Sequence, residues 1–217
     1  MSTLLQHDQY GDVHAGDQIL FSSLSAGSTV LVLIQRVSGT GSITGCSDPV
    51  NGAYTSLGSF GTCYGFVKRN ILAVVSGSVT AVSSDGVSTI WLSQGYEIVG
   101  PDNVAAILTG NLTDEGPATN HVLYTPGLSG TGFYAGISEF DVSSDWAPGS
   151  GWINFNTLVS ASGATQYKIE TGVSETGPYT TVGSIIGRFT LLVFIPDTVI
   201  PPPSGLPFIT QIGAKRI

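Results

Sequence analysis

Charge is scarce in this chain. Only 10% of its 217 residues are charged, with 7 Lys+Arg set against 15 Asp+Glu for a formal net charge of -8, whereas ordinary soluble domains carry about a quarter charged residues. Without a basic reservoir the chain cannot release phosphate counterions, so DNA or RNA binding through the backbone is excluded as an expected function. Attraction to anionic membrane surfaces is disfavoured on the same ground. Long apolar runs are missing too: the longest, Val30 to Ile34 and Leu191 to Ile195, have the length of a strand, far below the roughly 18 to 20 residues that span a bilayer. No membrane insertion is expected. The opening MSTLLQHDQYGDVHAGD lacks a basic segment followed by an apolar one, so nothing in it marks the chain for export, and synthesis in a cytoplasm is the expectation.

Cysteine is limited to Cys46 and Cys63, neither in a C-x-x-C arrangement, which cannot by itself supply a metal site. Two buried, inert thiols are expected, because a free Cys behaves as a small hydrophobe. A disulfide across an intervening hairpin is the alternative, and cytosolic synthesis argues against it.

What the chain does have is Gly (29), Pro (11) and abundant Ser and Thr, so its exterior is expected to be neutral hydroxyl and backbone, suited to close subunit contacts. Helical periodicity is nearly absent, while short Val/Ile/Thr/aromatic runs bounded by Gly, Asn, Asp or Ser recur throughout. Strands are expected at 18–22, 29–37, 42–46, 53–57, 62–68, 78–82, 88–92, 96–99, 104–108, 122–124, 132–140, 151–155, 166–171, 179–182 and 188–195. That texture predicts an all-β chain, an antiparallel β-sandwich or jelly roll. The division expected is an N-terminal arm (1–16), a first sandwich module (17–103), a second sandwich-like module (104–195) and a Pro-rich tail (196–217), with the two arms extended. Alternation predicts that Val30, Val32, Ile34, Ile71, Val74, Ile90 and Leu92 line the first core from one face of each strand.

Turn chemistry adds detail. Asn51-Gly52 suggests a type I′ hairpin, and Ser84-Asp85-Gly86 a reversal between 78–82 and 88–92. The runs QYKIET and YTTVG flank SETGP as in a hairpin with a longer loop, with Tyr167, Ile169 and Thr171 on one face and Lys168 and Glu170 on the other. In the tail, Pro201, Pro202 and Pro203 impose an extended spacer that cannot enter a central sheet. That spacer presents Leu206, Pro207, Phe208 and Ile209 ahead of the basic Lys215 and Arg216, an apolar segment fit either to fold back on its own body or to dock on a neighbour by strand addition.

From Ser28 to Gly100 the order of segments GSTVLVLIQRV, CSDPVNGAYTSLGS, TCYGFVKRNILA, GSVTAVSSDG and VSTIWLSQGYEIVG resembles a β-sandwich module frequent in bacteriophage tail and other virion proteins and in some bacterial surface proteins. The stretch YKIETGVSETGPYTTVG is similar, more weakly, to fibronectin-III-like or discoidin-like modules of virion proteins. These resemblances imply structural or adhesive work and do not identify a partner.

His7, His14 and His121 show no metal-ligand spacing, and GTGSITG at Gly39–Gly45 has the wrong interval to cradle phosphate. Paired carboxylates for glycan cleavage have candidates in Asp114, Glu115, Glu139, Asp141 and Asp145, but Glu139 and Asp141 alternate with Phe140 as solvent-facing strand positions do. Asp141–Asp145 lacks the alternating oxygens of a calcium loop, and Asn111 heads a glycosylation sequon by pattern only. No metal or other cofactor is expected. An aromatic ligand surface has candidates in Trp91 with Tyr96 and Trp146 with Trp152. The expected function is therefore a non-enzymatic bacteriophage virion subunit, a capsid decoration or tail component, whose partners are other virion proteins and copies of itself. The alternative is a tail adhesin binding a host-surface glycan, and a glycan-degrading enzyme ranks last.

Overall fold

Side chains branched at Cβ and aromatic rings favour the pleated surface of a sheet, and in the computed structural model every helix or strand among the described residues is a β-strand. The structure describes residues 1–13, 18–21, 23–36, 41–73, 77–83, 91–101, 104–113, 118–123, 130–140, 147–148, 151–154, 163–170, 179–185 and 187–197. The first half contains β1 (Thr3–Val13), β2 (Gln18–Phe21), β3 (Thr29–Arg36), β4 (Ile43–Asp48), β5 (Gly52–Ala53), β6 (Thr55–Phe60), β7 (Cys63–Lys68), β8 (Gly77–Ser83) and β9 (Trp91–Val99). The second half contains β10 (Leu108–Thr113), β11 (Ala118–Leu123), β12 (Gly132–Phe140), β13 (Ala147–Pro148), β14 (Ile153–Asn154), β15 (Gly163–Glu170), β16 (Tyr179–Ile185) and β17 (Gly187–Pro196).

These strands pair antiparallel in four sheets, with orders β1-β9-β3-β7-β6, β2-β8-β4-β5, β10-β17-β12-β15-β14 and β11-β16-β13. The sheet built on β3 is central, and the sequence of β3 shows why. Its residues TVLVLIQR are buried at all positions but the last, so both faces of the strand meet protein. Val30, Val32 and Ile34 join Phe21, Leu24, Ile43, Cys46, Tyr54, Tyr64, Phe66 and Ile71 in one core shared with the four-stranded sheet. Leu31 and Leu33, pointing the other way, join Cys63, Tyr96 and Ile98 in a second core with Phe133, Ala135 and Ile137 of β12 and Leu191, Val193 and Ile195 of β17. At Gly65 on β7 a Cβ would lie 3.2 Å from a Leu191 methyl, so the missing side chain lets the two sheets approach there.

The all-β expectation holds for the described residues, and β12 has its expected bounds. The pairing of Lys168 with Glu170 at 2.8 Å, opposite the face on which Tyr167 and Ile169 pack against the second core, follows the predicted alternation of β15. Several finer expectations change. One inward face per strand is too few for the central sheet: Val30, Val32, Ile34 and Ile71 are buried as predicted, but Leu31 and Leu33 are equally so. Val74 and Ile90, and the side chain of Leu92, lie outside the described residues.

The arm expected over 1–16 is largely the strand β1, laddered to β9 from Thr3↔Val99 to Val13↔Trp91. Its sequence is too polar to show an apolar face, and backbone pairing at a sheet edge makes it a strand instead. Conversely 104–107 is not strand, because pairing with β17 begins only at Leu108↔Phe194. Two expected reversals do not give hairpin pairs: β8 and β9 belong to different sheets, as do β15 and β16. Alternation identified these strands but could not choose their partners. The turn after β4 is not type I′ either. Gly52 has φ +71° while Asn51 is not left-handed, and the three residues between Asp48 and its partner Gly52 are gathered by the Asp48 carboxylate.

The change from one set of sheets to the other falls between Val99 and Leu108. Because the second core draws on both sets, the two halves are joined through a common interior. Asp197, after β17, bridges to Pro101, receives a 2.5 Å hydrogen bond from the Ser2 hydroxyl and donates its N–H to the Thr131 carbonyl at 3.0 Å. The tail from 198 onward lies outside the described residues.

Candidate interaction surface

Buried charge is the first place to look for chemistry. Glu97, on the face of β9 turned away from Tyr96, is buried, and its two oxygens accept hydrogen bonds from Ser28 Oγ at 2.8 Å, the Ser25 N–H at 2.5 Å and Gln6 Nε2 at 2.5 Å. This ties β1, β9 and the turn before β3 together. Asp48 accepts from the N–H groups of Val50 (2.8 Å) and Asn51 (2.6 Å) and from the Tyr54 hydroxyl (2.8 Å). Burial pushes the Asp48 carboxyl up, but the hydrogen bonds from Asn51, Tyr54 and Val50 outweigh it and hold it below the ordinary carboxylate value. Burial, followed by the bond to Asp48, drives the Tyr54 phenol upward. Asp48 and Tyr54 together thus close the turn between β4 and β5.

Glu139 corrects an expectation. It shares the face of β12 that carries Phe133, Ala135 and Ile137, so it points toward the central sheet, where it accepts a hydrogen bond from the Thr62 hydroxyl. A carboxylate engaged in this way is a poor candidate for paired acid catalysis. Asp114, Glu115, Asp141, Asp145 and His14 lie outside the described residues, as do the side chains of Asn111 on β10 and His121 on β11. Among the described residues no three His, Cys, Asp or Glu side chains are gathered to hold a metal.

Cys46 and Cys63 are free and buried, and they lie in different cores on opposite faces of the central sheet. Burial pushes the Cys46 thiol up to about 12. Burial and the neighbouring Glu139 charge push Cys63 up as well. Nucleophilic chemistry needs thiolate, and this arrangement suppresses it.

The expected aromatic ligand surface is not available as drawn. Tyr96 is 0% exposed, edge-on to Phe133 at 5.4 Å and to Tyr167 at 5.9 Å. Trp152 is 5% exposed and packs edge-on to Tyr134, which stacks on Phe194 at 4.3 Å. Both are core residues, because the central position of the first sheet and the aromatic cluster with Leu192 remove them from solvent. Trp91 begins β9, with its side chain outside the described residues. Trp146 lies outside them altogether, as do Leu206, Pro207, Phe208, Ile209, Lys215 and Arg216.

What the described surface offers is neutral and partly apolar. The edge strand β6, TSLGSF, carries no charge and has no buried residue. Exposed apolar side chains also stand on the loops that follow β7 and β9 and on the turn between β4 and β5. Val104 is 90% exposed, Leu72 60% and Val50 51%. The loops are linked to one another: the Leu72 N–H donates to Asn51 Oδ1 at 2.8 Å, and Arg69 Nη2 donates to the Ala105 carbonyl at 2.5 Å. The sequence predicts a strand over Val104-Ala105-Ala106-Ile107-Leu108, where pairing begins only at Leu108. Its five unbroken apolar residues carry that signal, and only packing decides that Ile107 meets the second core while Val104 and Ala106 are left in solvent.

Comparison of the chain with protein families, with curated proteins and with solved structures found no match.

Proposed function

We propose that this chain is a non-enzymatic structural subunit of a bacteriophage particle, a capsid decoration or tail component built from β-sandwich modules and acting through contacts with other virion proteins and with copies of itself. The observation that carries the reading is a neutral exterior on an all-β body: 10% charged residues overall, an uncharged exposed edge strand in β6 and solvent-exposed apolar loops at one end. Freely diffusing monomers rely on surface charge for solubility and blunt their edge strands, whereas a subunit in an assembly covers such surfaces. The segment order over Ser28–Gly100 supports the same reading by resemblance. Use of the buried carboxylates and thiols for architecture supports contact rather than catalysis.

The test is location. Antibody raised to the chain, applied to phage particles purified from the source culture, is expected to label one fixed position, with the chain sedimenting stoichiometrically with the particles. A chain left wholly in the soluble lysate, with no labelling, would reject the proposal. A glycan array probed with the intact chain separates the adhesin alternative, and turnover of surface polysaccharide would establish the enzyme.

A further inference from the structure

A sheet edge carries a row of unpaired N–H and C=O groups, and folds that stay solitary shorten, bulge or charge it. The four sheets leave eight edge strands among the described residues, and seven of them are treated in one of these ways. β5, β13 and β14 have two residues each and β2 has four. β1 contains His7, Asp8 and Asp12 and loses register between Leu4 and Gln6 and between Tyr10 and Val13. β6 is uncharged but shifts register between Ser56 and Gly58, where the Gly58 N–H donates to the Ser56 hydroxyl at 3.1 Å. β11 shifts between Ala118 and Asn120. The exception is β10. Its six residues LTGNLT carry no charge, and its ladder to β17 runs without a shift from Leu108↔Phe194 to Thr113↔Phe189. That leaves about 20 Å of regular free edge, at about 3.4 Å per residue.

We infer that β10 is a pairing edge and that its partner is β10 of a second copy of this chain, set antiparallel about a two-fold axis normal to the sheet. The strand selects this partner because its sequence complements itself. Such an axis keeps each face of the sheet on its own side, so residues opposite one another must share a face. Centring the pair on Gly110 satisfies that condition: Leu108 stands opposite Leu112 of the second copy, Thr109 opposite Asn111, and Gly110 opposite its counterpart. By alternation Leu108 and Leu112 belong to one face and Thr109 and Asn111 to the other. Each face thus matches an apolar residue with an apolar one, or a hydroxyl-bearing residue with an amide-bearing one. Moving the axis by one residue either way would put a Leu opposite Gly110 instead. Neutrality fits the same partner, since a two-fold pair brings any charge on the strand beside its own copy. Leu108, 38% exposed, and Thr109, also exposed, are open to it. The inference names the surface for the contacts between copies proposed above and rests on that reading, but it is tested on the purified chain, so its failure is separate from a failure of particle labelling.

Sedimentation velocity of the full chain is expected to show a dimer that dissociates on dilution. Thr109→Lys, at an exposed position, sets like charges diagonally across the junction and is expected to weaken the dimer at least about tenfold. An unchanged urea midpoint, measured where both chains are monomeric, shows that the fold is intact. Cross-linking reads the register. Thr109→Cys chains mixed with Asn111→Cys chains under mild oxidation are expected to form an intermolecular disulfide faster than either variant alone. Opposite residues lie within the separation that a disulfide accepts, whereas diagonal ones, about 7–8 Å apart, do not, and the native thiols are buried. A dimer that Thr109→Lys leaves unchanged, or like cysteines that link as fast as unlike ones, would overturn the inference. So would a monomeric full chain: β10 amides that resist exchange at every dilution would assign the edge to another segment of the same chain, and amides that exchange freely would leave it for a different protein.

Discussion

The two faces of the central sheet are built from the same strands but assembled by different parts of the chain. Toward the four-stranded sheet, the core from Phe21 to Ile71 comes from one short stretch of sequence. Toward the second five-stranded sheet, Leu31, Leu33, Cys63, Tyr96 and Ile98 wait for Phe133, Ala135, Ile137, Leu191, Val193 and Ile195, contacts more distant along the chain. Loop closure must precede contacts of the second kind. Alternate residues of β3 therefore belong to a local core and to a long-range one, and the long-range core makes two halves into a single body.

The most severe way to break the comparison is at the long-range core. Phe133→Ala removes a ring stacked on Tyr167 at 5.8 Å and edge-on to Tyr96, with an expected loss of about 3–5 kcal/mol in urea unfolding. Amide exchange then tells whether the faces are separable: β12 and β17 should lose protection before β4. Equal loss in all three strands would mean the local core has no stability of its own.

Asp48→Ala tests the local face. It deprives the Tyr54 hydroxyl and two turn N–H groups of their acceptor, at an expected cost of about 2–3 kcal/mol. The pH dependence has a defined sign. A carboxyl held lower in the folded state stabilises above its unfolded pKa of about 3.9, and that contribution is lost as pH falls through the folded value. Acid titration of stability below about pH 4 should therefore be shallower in Asp48→Asn than in the native chain.

A smaller effect is expected from the thiols, one on each face. Joint replacement of Cys46 and Cys63 by Ala should cost about 1–2 kcal/mol and leave the fold intact. Neither native thiol should react with an aromatic disulfide reagent until the chain unfolds, and fast labelling of either one in the folded chain would contradict its placement. The smallest effect belongs to His7 on β1, whose imidazole is held below its ordinary value by partial burial, with Asp8 opposing. The neutral form is favoured in the fold, so its contribution is present above about pH 6.5 and fades as pH falls through the lowered value. His7→Gln should remove that small slope from the stability profile.

Composition and alternation determined that the described residues are all-β, located most of their strands, separated Tyr167 and Ile169 from Lys168 and Glu170, and marked both cysteines as buried. Each of those conclusions depends on a residue and its immediate neighbours. Pairing partners do not: YTTVG reads as a strand whether it joins β15 or, as it does, β11 and β13. The polar sequence of β1 hides a strand because its ladder to β9 is made by backbone groups common to all residues. Burial on both faces of β3 was written in the unbroken VLVLI, yet a continuous apolar strand does not reveal which distant strands will cover it. For the same reason Tyr96 and Trp152 read as surface aromatics and are core, while Val104-Ala105-Ala106-Ile107-Leu108 reads as a strand, yet pairing begins only at Leu108 and Val104 and Ala106 are left exposed. Hydrophobicity specifies what must leave water, and only the tertiary arrangement, set by contacts far apart in the chain, decides which of those groups succeed.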